Sequence, residues 1–129
     1  AAVADRPLVF FQIGITPIVS VGRATFIHEL IVLAGGRNAA AQWETYPRFS
    51  HEQVLALMPK VIIITTMARQ KVFQQVKRQW EQWRQMPAVA GDRVYLVDSD
   101  LFDRPSPRLI AALEKLAQLL HPGLFEDQP

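Results

Sequence analysis

The run Val61-Ile62-Ile63-Ile64, closed by Pro59 on one side and by Thr65-Thr66 on the other, decides how the rest of the sequence is read. Unbroken β-branched side chains crowd a preceding helical turn but pack well on a pleated surface, so the run predicts a strand. Because it shows no polar alternation, both of its faces should be covered, which places it centrally in a parallel sheet.

Working upstream, Leu8-Val9-Phe10-Phe11-Gln12 is a second continuous apolar run, ending at Gly14, and predicts another strand buried on both faces. The segment from Ile15 to Gly22 carries Pro, Ser and Gly and is expected to be a loop. Phe26, Ile27, Leu30, Ile31 and Ala34 then recur at helical spacing until Gly35-Gly36, where a glycine can take the left-handed conformation that ends a helix. Asn38 to Phe49 has no consistent period and is read as an irregular loop bearing Trp43 and Tyr46. Ser50-His51-Glu52-Gln53 has the spacing of a capping box, and Val54, Leu55 and Leu57 give the helix behind it an apolar face that Pro59 cuts short.

Downstream, Val72, Phe73, Val76, Trp80 and Trp83 mark one face of a long amphipathic helix, with Lys71, Lys77, Arg78, Glu81 and Arg84 on the other and Pro87 closing it. Val94-Tyr95-Leu96-Val97 predicts a third strand and Asp98 to Ser106 a polar loop. Ser106-Pro107 offers an N-cap with proline at the first helical position, starting a helix through Leu109, Ile110, Leu113, Leu116, Ala117 and Leu120 that ends near His121-Pro122. Strands alternating with helices imply an α/β fold, a three-layer sandwich around a mainly parallel central sheet. Ligands of such sheets sit outside the carboxyl ends of the strands, which directs attention to the loops Gly14 to Gly22, Thr65 to Gln70 and Asp98 to Ser106.

A chain of 129 residues is the size of one domain, able to bury roughly two thirds of its unfolded surface. With 50% hydrophobic and 20% charged residues it has the balance of a globular protein. The formal charge is +2 with the cations scattered, so no nucleic-acid partner is expected. The absence of cysteine excludes disulfides and thiolate metal sites. Leu8 to Val21, interrupted by Gln12, Gly14, Thr16 and Pro17, is too short to span a bilayer. Ala1-Ala2-Val3-Ala4-Asp5 lacks the character of a signal segment and reads as a linker entering a strand, so an exported protein would be represented here by an excised piece.

Catalytic and cofactor chemistry finds little footing. Gly14 and Gly22 lack the spacing that brings backbone amides to a pyrophosphate, and there is no Walker motif. His28, His51 and His121 have no partners at metal-ligand spacing, so no metal and no cofactor are expected. Asp98, Ser99, Asp100, Asp103 and Arg104 suit turn capping with a local ion pair as well as acid–base chemistry. No nucleophile sits beside a base, so an enzyme is not expected. Trp43 and Tyr46 are equally suited to plugging the core and to stacking on a flat ligand. Trp80 and Trp83 are expected to be packing residues, and Glu52 sits in the first turn of its helix, where it complements the macrodipole.

The order FFQIGITPIVSVGR, LAGGRN, YPRFSHEQVLALMPKVIIIT and VYLVDSDLFDRPSPRLI resembles the C-terminal lobe of class III periplasmic binding proteins, from about Arg6 to Pro122. The stretch Ser50 to Thr65 carries the pattern shared by cobalamin, siderophore and haem binders of that family, and SDLFDRPSPR is most similar to its cobalamin-binding members. The resemblance implies a single Rossmann-like lobe over residues 1–129, with the N-terminal lobe and the linking helix outside the chain. It implies capture of a corrinoid or another metal chelate between two lobes, in the periplasm or on a lipid-anchored protein, and delivery to the membrane subunit of an ABC permease. Matched residue by residue, Tyr46, Asp100 and Arg104 fall on ligand contacts, and Glu52 falls on the carboxylate that docks on the permease. Ile13, Val19 and Leu101 stand where cobalamin binders carry aromatics, giving a more aliphatic wall, and Ala34 stands at a position of a cysteine. A ferric siderophore or haem is the alternative ligand, with Arg23, Arg48, Arg69 and Arg104 as candidate anion contacts. An isolated lobe would also expose apolar surface able to drive self-association.

Overall fold

The computed structural model describes residues 6–14, 18–66, 70–98 and 109–120. The two apolar runs form strands as expected: β1 spans Leu8–Gln12 and β5 spans Val61–Thr66, and they pair in parallel, with Phe10 opposite Ile62 and Gln12 opposite Ile64. Strand β6, Val94–Asp98, pairs with β5 on its other side, so β5 is an interior strand. A two-residue strand, β3 (Arg37–Asn38), completes the parallel sheet in the order β3-β1-β5-β6.

Continuous apolar runs make sense because β1 and β5 are buried on both sides. Val9, Phe11, Val61 and Ile63 face one helical layer, formed by α1 (Phe26–Leu33) and α5 (Leu109–Leu120). Phe10, Ile62 and Ile64 face the other, formed by α2 (His51–Leu57), α3 (Gln70–Glu81) and the single turn α4 (Pro87–Ala90). The result is the three-layer α/β sandwich, with core residues alternating between layers at the period of two that strands impose.

Local signals behave as their chemistry requires. Thr25 caps α1 by accepting from the His28 amide, and the helix ends in a Schellman pattern in which Gly35, at φ 91°, and Gly36 donate to the carbonyls of Val32 and Ile31. Both arms of the capping box at Ser50 and Gln53 are made. Pro59 disfavours a right-handed helical conformation at the residue before it, and Met58 takes the left-handed one at φ 52°.

Three expectations need correction. The loop expected from Ile15 to Gly22 contains a strand, β2 (Ile18–Val19), and the loop expected from Asn38 to Phe49 contains its antiparallel partner, β4 (Arg48–Phe49). That loop also begins inside β3. Pairs of two-residue strands leave no periodic trace, because each contributes one residue per face. Pro87 does not close the long helix, which stops at Glu81. It starts α4 instead, at the position where its missing N–H costs nothing. The N-cap expected at Ser106-Pro107 lies outside the described residues.

Candidate functional site

The carboxyl ends of β1 and β5 lie side by side, with the backbone carbonyl of Gln12 accepting from the Thr65 hydroxyl at 3.4 Å. Just past β1, Ile13 and Gly14 pair antiparallel with Val19, a hairpin contact in which the Ile13 amide donates to the Val19 carbonyl at 2.8 Å and Gly14 and Val19 form a bridge. Strand β2 then pairs with β4, setting Val19 opposite Arg48. The ladder continues past β2 as the amides of Ser20, Gly22, Arg23 and Ala24 donate to the carbonyls of Pro47, Thr45, Trp43 and Glu44.

These bonds settle where the aromatic loop goes. Ile13, Val19 and the Trp43 to Pro47 segment belong to one hydrogen-bonded unit beyond the sheet edge. Tyr46 is 58% exposed within it, while Trp43 is 39% exposed and sets its ring edge-on to Phe49 at 5.0 Å. Trp43 thus packs one side of its ring against buried Phe49, and Tyr46 is the more exposed of the two loop aromatics. Ile13 and Val19 are half-buried, and the segment bonded to them carries two exposed aromatics, Trp43 and Tyr46. Asp100, Leu101 and Arg104 lie outside the described residues.

The approach is close enough to demand glycine at one point: a Cβ on Gly22 would stand 2.3 Å from the Trp43 carbonyl oxygen. Asn38 supports the same unit from below, donating to the Val21 carbonyl at 2.7 Å, accepting from the Ala40 amide and meeting His28 Nδ1 at 3.1 Å. Sequence patterning did not find either residue's role, since both act on partners far along the chain.

The candidate anion contacts separate. Arg23 donates to the Gln42 carbonyl at 2.7 Å and pairs with Glu44 at 3.5 Å, which ties it to the aromatic loop. Arg48 is exposed beside Val19 on the paired strands and has no carboxylate partner among the described residues. Arg69 and Arg104 lie outside the described residues. Glu52 is exposed in the first turn of α2, directly behind the capping residue Ser50, and its neighbour His51 stacks on Trp83. Trp80 is fully buried and Trp83 partly buried, as packing residues.

A cleft of about 600 Å³ lies along the open side of β3, lined by Arg6, Leu8, His28, Arg37 and Leu57 among others. Ile13, Val19 and Tyr46 do not line it, and the carboxyl-end unit is the better candidate because parallel α/β sheets present their ligand loops there. Among the described residues no group of acidic or histidine side chains could hold a metal ion, and no helix is long and apolar enough to cross a membrane.

A family model described as periplasmic binding protein matches residues 4–101. An uncharacterised ABC transporter substrate-binding lipoprotein of Bacillus subtilis (strain 168) is 33% identical over 124 residues, covering 95% of this chain and 38% of that protein. The vitamin B12-binding protein of Salmonella choleraesuis (strain SC-B67) is 31% identical over 113 residues, covering 87% of this chain and 40% of that protein. Among solved structures, the periplasmic vitamin B12 binding protein of Vibrio cholerae superposes with a TM-score of 0.78 at 29% identity, over 95% of this chain and 46% of that one. The chain thus spans about two fifths of the length of the curated relatives it matches.

Proposed function

The chain belongs to the periplasmic binding protein family, and from that premise we propose that it is the C-terminal lobe of a two-lobed ABC-importer component that captures a cobalamin-type corrinoid between its lobes. The observation that supports the ligand reading is the unit beyond β1, where half-buried Ile13 and Val19 are paired and Tyr46 stands exposed on the segment bonded to them; in this reading they form an aliphatic wall. A corrinoid is a broad amphipathic disc fringed with amides, and it calls for an apolar wall with a few donors and acceptors at the rim. In this reading Leu101 extends the wall, Asp100 accepts from amide nitrogens and Arg104 donates to amide carbonyls. The role is capture and delivery, without catalysis, on the outer side of the cytoplasmic membrane, free in the periplasm or lipid-anchored.

Delivery needs a docking charge, and in this reading Glu52 supplies it. Its carboxylate is exposed at a helix start, available to arginines of a permease subunit, where such pairs favour orientation and encounter more than raw affinity. Glu52→Arg in the two-lobed parent is expected to slow reconstituted transport while leaving ligand affinity unchanged. An unaltered transport rate removes Glu52 from the docking surface.

A ferric siderophore or haem is the second reading, favoured by the exposed Arg48 beside Val19, whose guanidinium suits a carboxylate or catecholate rim. Calorimetric titration of the two-lobed parent with cobalamin, a ferric siderophore and haem tests both. Cobalamin binding tighter than about 1 μM, weakened roughly tenfold by Tyr46→Ala, supports the corrinoid. Tight binding of haem or siderophore alone, weakened by Arg48→Gln, replaces it.

A further inference from the structure

Gln12 ends β1 at 2% exposure, and a buried primary amide is costly unless its oxygen and nitrogen both find partners. Both do. Its Oε1 accepts from the Trp80 indole Nε1 at 2.9 Å, and its Nε2 donates to the Gly14 carbonyl at 3.0 Å. Gly14 is bridged to Val19, so the Gln12 amide pins the hairpin that carries Ile13 and Val19 to a tryptophan on α3. An apolar side chain of the same volume would fill the space but make neither bond.

The tryptophan has a second neighbour. The His51 ring lies 4.9 Å from the Trp80 ring, tilted by 54°, and stacks on Trp83 at 6.4 Å and 10°. His51 is the first residue of α2 and immediately precedes Glu52. A continuous path of packed and hydrogen-bonded groups therefore runs from His51, the chain neighbour of Glu52, through Trp80 and Gln12 to Gly14 and Val19.

We propose that Gln12 is a positioning residue that sets the hairpin after β1 and, through Trp80 and His51, couples it to the first turn of α2. The roles of the two ends, ligand wall and docking turn, rest on the function proposed above. The coupling itself rests on the geometry alone. It makes the hairpin and the docking turn one mechanical unit, so that a change in how the wall is held is felt where a permease subunit would be met.

Amide hydrogen exchange on the ligand-free chain tests this by nuclear magnetic resonance. Gln12→Glu keeps an acceptor for Trp80 but removes the donor to Gly14, and Trp80→Phe keeps an aromatic ring but removes the other bond. Each is expected to speed exchange at Ile13 and Val19 by about tenfold, with Ile62, bonded to the Arg93 carbonyl in the core, unchanged. His51→Ala is expected to shift the Trp80 Nε1–H resonance and to speed exchange at Val19 in the same selective way. Unchanged exchange at Ile13 and Val19 in both Gln12→Glu and Trp80→Phe, or an equal rise at Ile62, reduces Gln12 to a space-filling residue and overturns the proposal. A silent His51→Ala severs the arm to α2 and overturns the coupling. Because no ligand is present, failure here leaves the corrinoid reading untouched, and a failed cobalamin titration leaves this measurement standing.

Discussion

Gly22 and Tyr46 sit on facing segments of one small unit, yet substitutions at them should do opposite things. A Cβ at Gly22 would come within 2.7 Å of the Glu44 carbonyl oxygen as well as striking that of Trp43, and backbone cannot yield as a flexible side chain would. Gly22→Ala is therefore expected to cost about 1–3 kcal/mol in a urea titration and to push the Trp43 to Pro47 segment away from Ser20 to Ala24. Tyr46, more exposed than buried, should be replaceable by alanine within about 0.5 kcal/mol of stability while ligand affinity falls. A stability loss at Tyr46 as large as at Gly22 would make it a structural plug. The capping and stop residues Ser50, Gly35 and Pro59 were legible because each acts within a few positions of itself. Gly22 was read only as loop, since the carbonyls that exclude its side chain lie on a segment with no pattern of its own.

Among the elements, α2 owes little of its stability to its own length. Its seven residues form a helix too short to persist alone, so the box made by Ser50 and Gln53 and the packing of Val54 must hold it. Ser50→Ala is expected to lower stability by about 1 kcal/mol, read as a shift in thermal midpoint, and to loosen the turn bearing Glu52. The last helix, α5, ends differently. Arg93, just ahead of β6, donates from Nη2 to the carbonyls of Leu119 and Leu120 at 2.9 and 3.0 Å, satisfying groups that a helix end leaves open. Arg93→Met should cost about 1–2 kcal/mol in chemical denaturation. No loss at all would mean that water serves those carbonyls equally well. The long helix α3 was legible in its apolar stripe, whereas its end at Glu81 was not, because Trp83 continues the stripe by packing from the following turn.

For the molecule as a whole, the proposed function makes this chain one wall of a two-walled cleft. On that proposal the 129-residue chain alone should bind cobalamin at least roughly a hundredfold more weakly than a two-lobed parent, since one lobe gives neither the opposite wall's contacts nor the enclosure that strengthens them. It also shows apolar surface on the α1/α5 layer, with Leu33 at 71% and Ile110 at 70% exposure, besides Tyr46 on the wall. Sedimentation velocity is expected to show concentration-dependent self-association. A strictly monomeric chain at high concentration would show that these residues are too dispersed to form a patch.

What the sequence determined by itself is the set of elements whose causes are local: apolar runs too continuous for one-sided strands, a capping box within four residues, glycines and prolines that forbid the helix to go on. The family resemblance was legible in the same stretches. The tertiary structure alone decided the edge strand β3, the pairing of β2 with β4, and the joining of Gln12 to a tryptophan 68 positions away. The physical reason is that a hydrogen bond or close approach between distant segments depends on where the whole core places them. Neither partner carries a periodic mark of that meeting, and the candidate wall exists only because the sheet brings its pieces to one end.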